Sequence, residues 1–131
     1  MIVVDTHIII WNALKPERLS EKAEKAISAA NDSDGIIFCE MSLWEISMLI
    51  HKGRLSVDIE YIEFIELIFQ SNHYVLRGIT PQIAWLSGEL FSDNNKDPVD
   101  RIIAATSIVE NADLVTADKA LKESKIVATI W

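Results

Sequence analysis

The sequence predicts an α/β protein, a three-layer α/β/α sandwich whose mostly parallel sheet has four or five strands. Short apolar runs alternate with helix-like segments along the 131 residues. Almost every run is continuously apolar, which is typical of parallel strands buried on both faces. With 50% hydrophobic residues, the chain fits one domain, residues 1–131, with a substantial core.

The first third of the chain predicts two strands, each followed by a helix. Residues 2–4 are an apolar run that predicts the first strand, and residues 8–14 predict a short helix. Ser20 is a suitable N-cap for a second helix, which is followed by a polar turn at residues 31–35. The apolar run at residues 36–39 predicts the second strand.

The middle of the chain predicts two further helices and a third strand. Ser42 and Glu45 have the Ser-x-x-Glu spacing of a capping box, which predicts that Ser42 opens a helix. Gly53 suits the C-terminal stop of that helix. Residues 59–71 carry apolar side chains at helical spacing, and residues 75–79 predict the third strand.

The last third of the chain contains the most informative segment. Pro81 begins a predicted helix, and residues 92–96 form a polar loop. Asp97 is a good N-cap and Pro98 suits the first helical position, so Asp100 falls at the third position of the next helix. Beyond it, the chain predicts a strand at 114–115, a short helix at 119–123 and a closing strand at 126–128.

Four acidic residues come from separate segments of the chain. Each lies just after a predicted strand or near the start of a predicted helix. In open parallel sheets, ligands bind beyond the carboxyl ends of the strands, so these side chains are expected at one rim. Each could simply cap a helix or favour its dipole. Carboxylates gathered together repel, however, and an all-oxygen site of this kind suits Mg²⁺ or Mn²⁺. The four residues are Asp5, Glu45, Asp100 and Asp118.

Charge and composition exclude several classes of protein. The net charge of −8, from 12 basic and 20 acidic residues, argues against a protein that coats nucleic acid, although it does not exclude a nuclease. Cys39 is the only cysteine, which excludes an internal disulfide and a multi-cysteine zinc site. No apolar run is long enough for a membrane span, and the N-terminus lacks signal-peptide features, so a cytoplasmic location is expected.

Four motifs, in order along the chain, resemble those of PIN domains, most closely the VapC-type toxins of toxin–antitoxin pairs. They are Val3-Val4-Asp5-Thr6-His7, Ser42-Leu43-Trp44-Glu45-Ile46, the ten residues from Asp97 to Thr106, and Leu114-Val115-Thr116-Ala117-Asp118. Each motif alone is weak, but four in family order are specific. The resemblance implies a Mg²⁺- or Mn²⁺-dependent ribonuclease, a homodimer and a small antitoxin partner that binds DNA.

The resemblance also implies roles for individual residues. Asp5, Glu45, Asp100 and Asp118 would form the catalytic and metal-binding acidic cluster. Thr6 and Thr116 would supply supporting hydroxyls. Thr116 would act with the catalytic residues, and Thr6 would help to bind the substrate. Three basic residues adjoin the acids and are candidate phosphate contacts for the RNA: Lys96, Arg101 and Lys119.

Other readings remain open at this point. An inactive PIN-like domain that binds metal, RNA or protein is the main alternative. A haloacid-dehalogenase-like enzyme with Asp5 as nucleophile would need a second Asp at the position of His7. A lone histidine such as His7 more often makes structural hydrogen bonds than substrate contacts. Asp97 is interpreted as a helix cap. The tryptophans on helices are expected in the core or in a dimer contact. These are Trp11, Trp44 and Trp85.

Overall fold

The computed structural model describes residues 1–90 and 97–131. Within them, five strands form one sheet in the order β3-β2-β1-β4-β5, and every pair of neighbours is parallel. The strands are β1 (Ile2–Val4), β2 (Ile36–Cys39), β3 (Tyr74–Arg77), β4 (Asp113–Val115) and β5 (Thr129–Ile130). The predicted sheet is therefore confirmed.

Helices connect these strands, as parallel strands require. They are α1 (Thr6–Leu14), α2 (Glu21–Asn31), α3 (Glu40–His51), α4 (Tyr61–Ser71), α5 (Pro81–Leu90), α6 (Pro98–Val109) and α7 (Lys119–Ser124), with a 3₁₀ turn at Pro16–Arg18. In the part of the chain that the structure describes, no helix is long and apolar enough to cross a lipid bilayer. The predicted loop at residues 92–96 lies outside the described residues.

Alternate residues of the central strands feed two separate cores. Val4 and Phe38 pack with α1 to α4 on one face of the sheet, whereas Val3 and Ile37 pack with α6 and α7 on the other. All four side chains are at most 1% exposed. This double burial explains why the strands are apolar at every position and confirms the three-layer sandwich.

The order of the strands creates a switch point between β1 and β4. From β1 the chain winds outward through β2 and β3, then returns to place β4 and β5 on the opposite side of β1. The backbone N–H of Asp5 donates to Val115 at 3.2 Å, so β1 and β4 stay paired to their ends. Residues that follow these two strands therefore meet, in the place where open α/β sheets bind ligands.

The predicted capping box at Ser42 is wrong. Helix α3 begins directly after β2, at Glu40, and its N-cap, Cys39, makes no side-chain capping bond. Ser42 is therefore inside the helix and fully buried, and its Oγ lies 2.9 Å from Oγ1 of Thr6. The Ser42 hydroxyl therefore contacts a side chain of another helix, whereas the local pattern predicted a hydrogen bond to a backbone N–H.

Other predicted boundaries shift by a few residues for local reasons. Helix α1 begins at Thr6 rather than residue 8, because Asp5 caps it. Strand β3 stops at Arg77, since the N–H of Ile79 donates to Oε1 of Glu40 at 2.9 Å instead of joining the ladder. Strand β5 starts at Thr129 rather than residue 126, after Lys125 turns the chain with a φ of 58°.

The helical tryptophans do not behave alike. Trp44 is 54% exposed and Trp85 is 73% exposed, so neither ring lies in the core of this chain, and the predicted alternative, a dimer contact, stays a prediction. Trp11 is half-buried and contacts Trp131, with ring centroids 6.0 Å apart. Gly53 ends α3 with a φ of 70°, as predicted from its place in the sequence.

Candidate active site

Asp5 stands at the end of β1, and both of its carboxylate oxygens accept hydrogen bonds. Oδ1 accepts from the backbone N–H of Ile8 at 3.0 Å, which caps α1, and Oδ2 accepts from the hydroxyl of Thr116. Burial raises the pKa of Asp5, while these two hydrogen bonds oppose that rise. The carboxylate is thus held in one orientation at the switch point of the sheet.

Thr116 connects the acids that follow β1 and β4. Its hydroxyl donates to Asp5, and the same oxygen accepts from the backbone N–H of Asp118 at 3.0 Å. Asp118 in turn caps α7, because its Oδ1 accepts from the N–H of Leu121 at 2.9 Å. Thr116 is completely buried, so this position fits the supporting role expected of its hydroxyl.

Glu45 comes from the second turn of α3 and faces the same rim. Burial raises the pKa of its carboxyl, Asp97 and Asp5 raise it further, and the hydroxyl of Thr6, within hydrogen-bonding reach, lowers it. Thr6 is itself 1% exposed and contacts Ser42 on its other side. Thr6 is therefore buried beside Ser42 and Glu45, and its expected role in binding the substrate stays a prediction.

Asp100 is the acid of the cluster whose pKa shows the mutual repulsion of the carboxylates. It lies at the third position of α6, whose N-cap Asp97 accepts from the N–H of Val99 at 2.8 Å. Burial, as the largest cause, and the charges of neighbouring carboxylates together raise the pKa of Asp100 from 3.8 to about 7. These neighbours are Asp118, Asp97, Glu45 and Asp5. The four predicted acids therefore meet, and Asp97 joins them with its charge as well as capping the helix.

The donor set matches a hard divalent cation. Carboxylates are the ligands that Mg²⁺ and Mn²⁺ prefer, and a cation would relieve the repulsion recorded at Asp100. Among residues 1–90 and 97–131, no group of three or more His, Cys, Asp or Glu side chains is positioned to hold a metal ion. Mg²⁺ commonly takes one or two carboxylates and keeps several waters, so the acids fit the ion without forming a closed cage.

The predicted basic contacts are placed less uniformly. Lys119 is 85% exposed, with its Nζ 3.9 Å from Oε1 of Glu123, one turn along α7. Arg101 follows Asp100, and its buried Nε has no hydrogen-bond partner among the described residues. Lys96 lies outside the described residues. His7 is exposed, and its ring meets the edge of Trp11 at 6.1 Å between centroids.

A comparison with protein families agrees with this geometry. The model of the PIN domain family matches residues 2–126, which is nearly the whole chain.

The chain belongs to the PIN domain family.

Known proteins of this kind cover the chain from end to end. Ribonuclease VapC22 of Mycobacterium tuberculosis is 30% identical over 132 residues, which cover 99% of this PIN domain chain and 98% of the relative. The crystal structure of VapBC2 from Rickettsia felis, bound to a DNA fragment from their promoter, superposes with a TM-score of 0.74. That match has 19% identity and covers 98% of this chain and 97% of the other.

A second solved structure supports the same fold. A toxin–antitoxin complex from Klebsiella pneumoniae gives a TM-score of 0.60 at 16% identity, covering 90% of this chain and 87% of the other. At such low identity the two structures show the PIN fold and nothing finer. The fold expected from the four motifs is therefore confirmed, and the chain is similar to VapC-type members.

Sequence reasoning missed two features of this PIN domain site. Ser42 was assigned to a helix cap, although its spacing of three residues from Glu45 also places both on one face of α3. The charge that Asp97 adds to the cluster was overlooked as well. Its signal was available, because Asp97 and Asp100 are three residues apart at the same helix start.

Proposed function

We propose that this chain is a metal-dependent endoribonuclease and the toxin of a toxin–antitoxin pair. The observation that carries the proposal is the convergence of acids from four segments at the switch point of the sheet, where Thr116 joins Asp5 to Asp118 and neighbouring carboxylates raise the pKa of Asp100. A chain gains no stability from bringing such charges together, so their meeting calls for a cationic ligand. The similarity to ribonuclease VapC22 supports RNA as the substrate.

The chain's own residues would divide the work as follows. Asp5, Glu45, Asp100 and Asp118 would hold Mg²⁺ or Mn²⁺. Bound there, the cation supplies Lewis-acid stabilisation of the phosphate and a more acidic water. Thr116 orients Asp5 and Asp118 through its two hydrogen bonds, and Thr6 orients Glu45. Lys119 and Arg101, with Lys96, are proposed to attract the RNA backbone beside the acids.

The biological setting belongs to the same proposal. The solved structures that share this fold include VapBC2 on promoter DNA and a toxin–antitoxin complex, which supports a small antitoxin as partner. A homodimer and a cytoplasmic location are proposed on the resemblance to VapC-type proteins. The exposed rings of Trp44 and Trp85 are candidate dimer contacts.

The test is cleavage of RNA with mapping of the product ends. The purified chain with Mg²⁺ or Mn²⁺ should leave a 5′-phosphate and a 3′-hydroxyl, because a water attacks the phosphate rather than the ribose 2′-hydroxyl. Asp100→Asn, purified in the same way, controls for contaminating nuclease. A 2′,3′-cyclic phosphate would overturn this mechanism.

The alternative is a PIN domain that binds metal or RNA without cutting. Under that alternative, metal would stabilise the protein in the expected way, yet no product would form on any RNA supplied with Mg²⁺ or Mn²⁺.

A further inference from the structure

A groove beside the acidic cluster carries an unexpected concentration of positive charge. It encloses about 720 Å³ and is continuous with the cluster, since Glu45 and Asp97 line it. The remainder of its wall comes from α1, the 3₁₀ turn and the segment after α3. Three basic residues contribute to that wall: Lys15, Arg18 and Arg54.

These cations stand out in a chain with a net charge of −8. Within the described ranges, none of the three makes an ion pair with an Asp or Glu side chain, although acids outnumber bases by 20 to 12. By contrast, Lys25 on α2 pairs with Glu21 at 3.1 Å. Positive charge is thus left available in this groove, where an anionic ligand would be attracted.

Arg18 is also held in a defined position. Its Cζ lies 4.5 Å from the centroid of the Trp11 ring. Trp11 is in turn packed against His7 and Trp131, with centroids 6.1 and 6.0 Å away. A guanidinium that lies over an aromatic ring can still direct N–H groups to a phosphate, and this contact restricts the side chain before binding.

We propose that this groove binds the backbone phosphates of the single-stranded RNA that reaches the acidic cluster, with Arg18 as the main contact. The inference rests on the proposed ribonuclease function and extends it by assigning a substrate-binding surface. An acidic peptide would suit the three cations, but Glu45 and Asp97 would repel it where the groove meets the cluster. Under the proposed function, a phosphodiester arrives there together with a divalent cation.

The experiment compares Arg18→Gln with Lys25→Gln, which removes the same charge from a paired site outside the groove. Binding of a fluorescent single-stranded RNA is measured by anisotropy with EDTA present, so that cleavage does not interfere. Arg18→Gln should weaken binding about tenfold, as expected for loss of one charged hydrogen bond, and lower the salt slope by about 0.7. Lys25→Gln should match the wild-type protein.

Two further variants guard against misreading. Arg54→Gln should show a similar change in salt slope without touching Trp11. Arg18→Lys keeps the charge but not the planar stacked group, so it should recover the salt slope while only part of the affinity returns. Thermal melting of each variant checks that the fold is intact.

Failure of this inference can be distinguished from failure of the proposed function. If the wild-type protein cleaves RNA and Arg18→Gln has the same KM and salt slope as Lys25→Gln, the groove assignment is wrong and the activity stands. If nothing cleaves but Arg18→Gln still weakens RNA binding, the groove assignment stands alone. Binding of a polyglutamate probe through Arg18, with RNA affinity unchanged, would overturn it in favour of a protein ligand.

Discussion

The hydroxyl oxygens of Thr6 and Ser42 lie 2.9 Å apart, in a part of the site where both residues are at most 1% exposed. Thr6 also lies within hydrogen-bonding reach of Glu45. Either hydroxyl can donate in the Thr6–Ser42 pair. Ser42, from the inside of α3, therefore contacts the α1 side chain whose hydroxyl lowers the pKa of Glu45 on the next turn of α3.

Ser42→Ala tests this relationship. Leaving Thr6 without its second partner should cost about 1 kcal/mol of unfolding free energy and weaken Mg²⁺ or Mn²⁺ binding, because Glu45 loses its fixed orientation. The measurements are chemical denaturation and a calorimetric metal titration. Ser47→Ala is the matched control, since its hydroxyl lies beside His51 on the same helix. Equal metal affinity in both variants would show that Ser42 is only a packing residue.

The two acids at the start of α6 should respond differently to neutralisation. Asp97→Asn keeps a good N-cap, so unfolding free energy should change by less than about 1 kcal/mol and most activity should remain. Asp100→Asn removes a proposed metal ligand, so RNA cleavage should fall at least about 10²-fold. Its metal-free form should nevertheless melt at the same temperature or higher, because one mutually repelling charge is gone.

RNase rates and metal-free melting temperatures of both variants decide the matter. Loss of cleavage in Asp97→Asn with normal cleavage in Asp100→Asn would mean that Asp97, and not Asp100, is the metal ligand. Normal cleavage in both would mean that Asp100 is simply an acid in the first turn of a helix.

Stability of the metal-free protein should depend on pH in an unusual direction. The pKa of Asp100 is raised from 3.8 to about 7, so the folded protein holds this proton more tightly than the unfolded chain. Unfolding free energy should therefore fall as pH rises from about 4 to about 7 and then level off. The pKa values of Asp5 and Glu45 are raised too, which adds to the same trend.

Urea denaturation in EDTA, at about pH 5 and about pH 8, measures this dependence. Asp100→Asn should make the profile distinctly flatter, while Lys25→Gln should leave its shape unchanged. A wild-type protein that gained stability over this interval would contradict the proposed crowding of carboxylates.

Divalent cations should stabilise the folded chain in proportion to their occupancy. At 100 times the dissociation constant, Mg²⁺ or Mn²⁺ would add about 2.7 kcal/mol to the unfolding free energy if the unfolded chain does not bind it. At one fixed metal concentration, this gain in unfolding free energy should be larger at about pH 8 than at about pH 5, because the cation binds ionised carboxylates and displaces their protons. Melting curves with and without chelator measure it, and no shift at millimolar metal would count against the site.

The sequence by itself determined the architecture and the segments that carry the acids. Strands buried on both faces are apolar where they are buried, so β1, β2 and β4 were evident from apolar runs of three, four and two residues. The start of α6 was equally clear, because capping by Asp97 and the fixed φ of Pro98 depend on neighbours in the chain. The carboxyl ends of parallel strands meet at one edge of the sheet, so the sequence alone predicted that Asp5 and Asp118 lie at the same edge.

Tertiary structure alone decided how those acids behave and what surrounds them. The pKa of Asp100 depends on burial and on charges from four other positions, three of which come from distant segments of the chain. Ser42 had a valid local pattern for a cap, but the strand running directly into α3 buried it against Thr6. The groove brings together Arg18, which lies over the Trp11 ring, and Arg54, from the segment after α3. Hydrogen bonds and charges act through space, so residues far apart in the chain set the chemistry of this site.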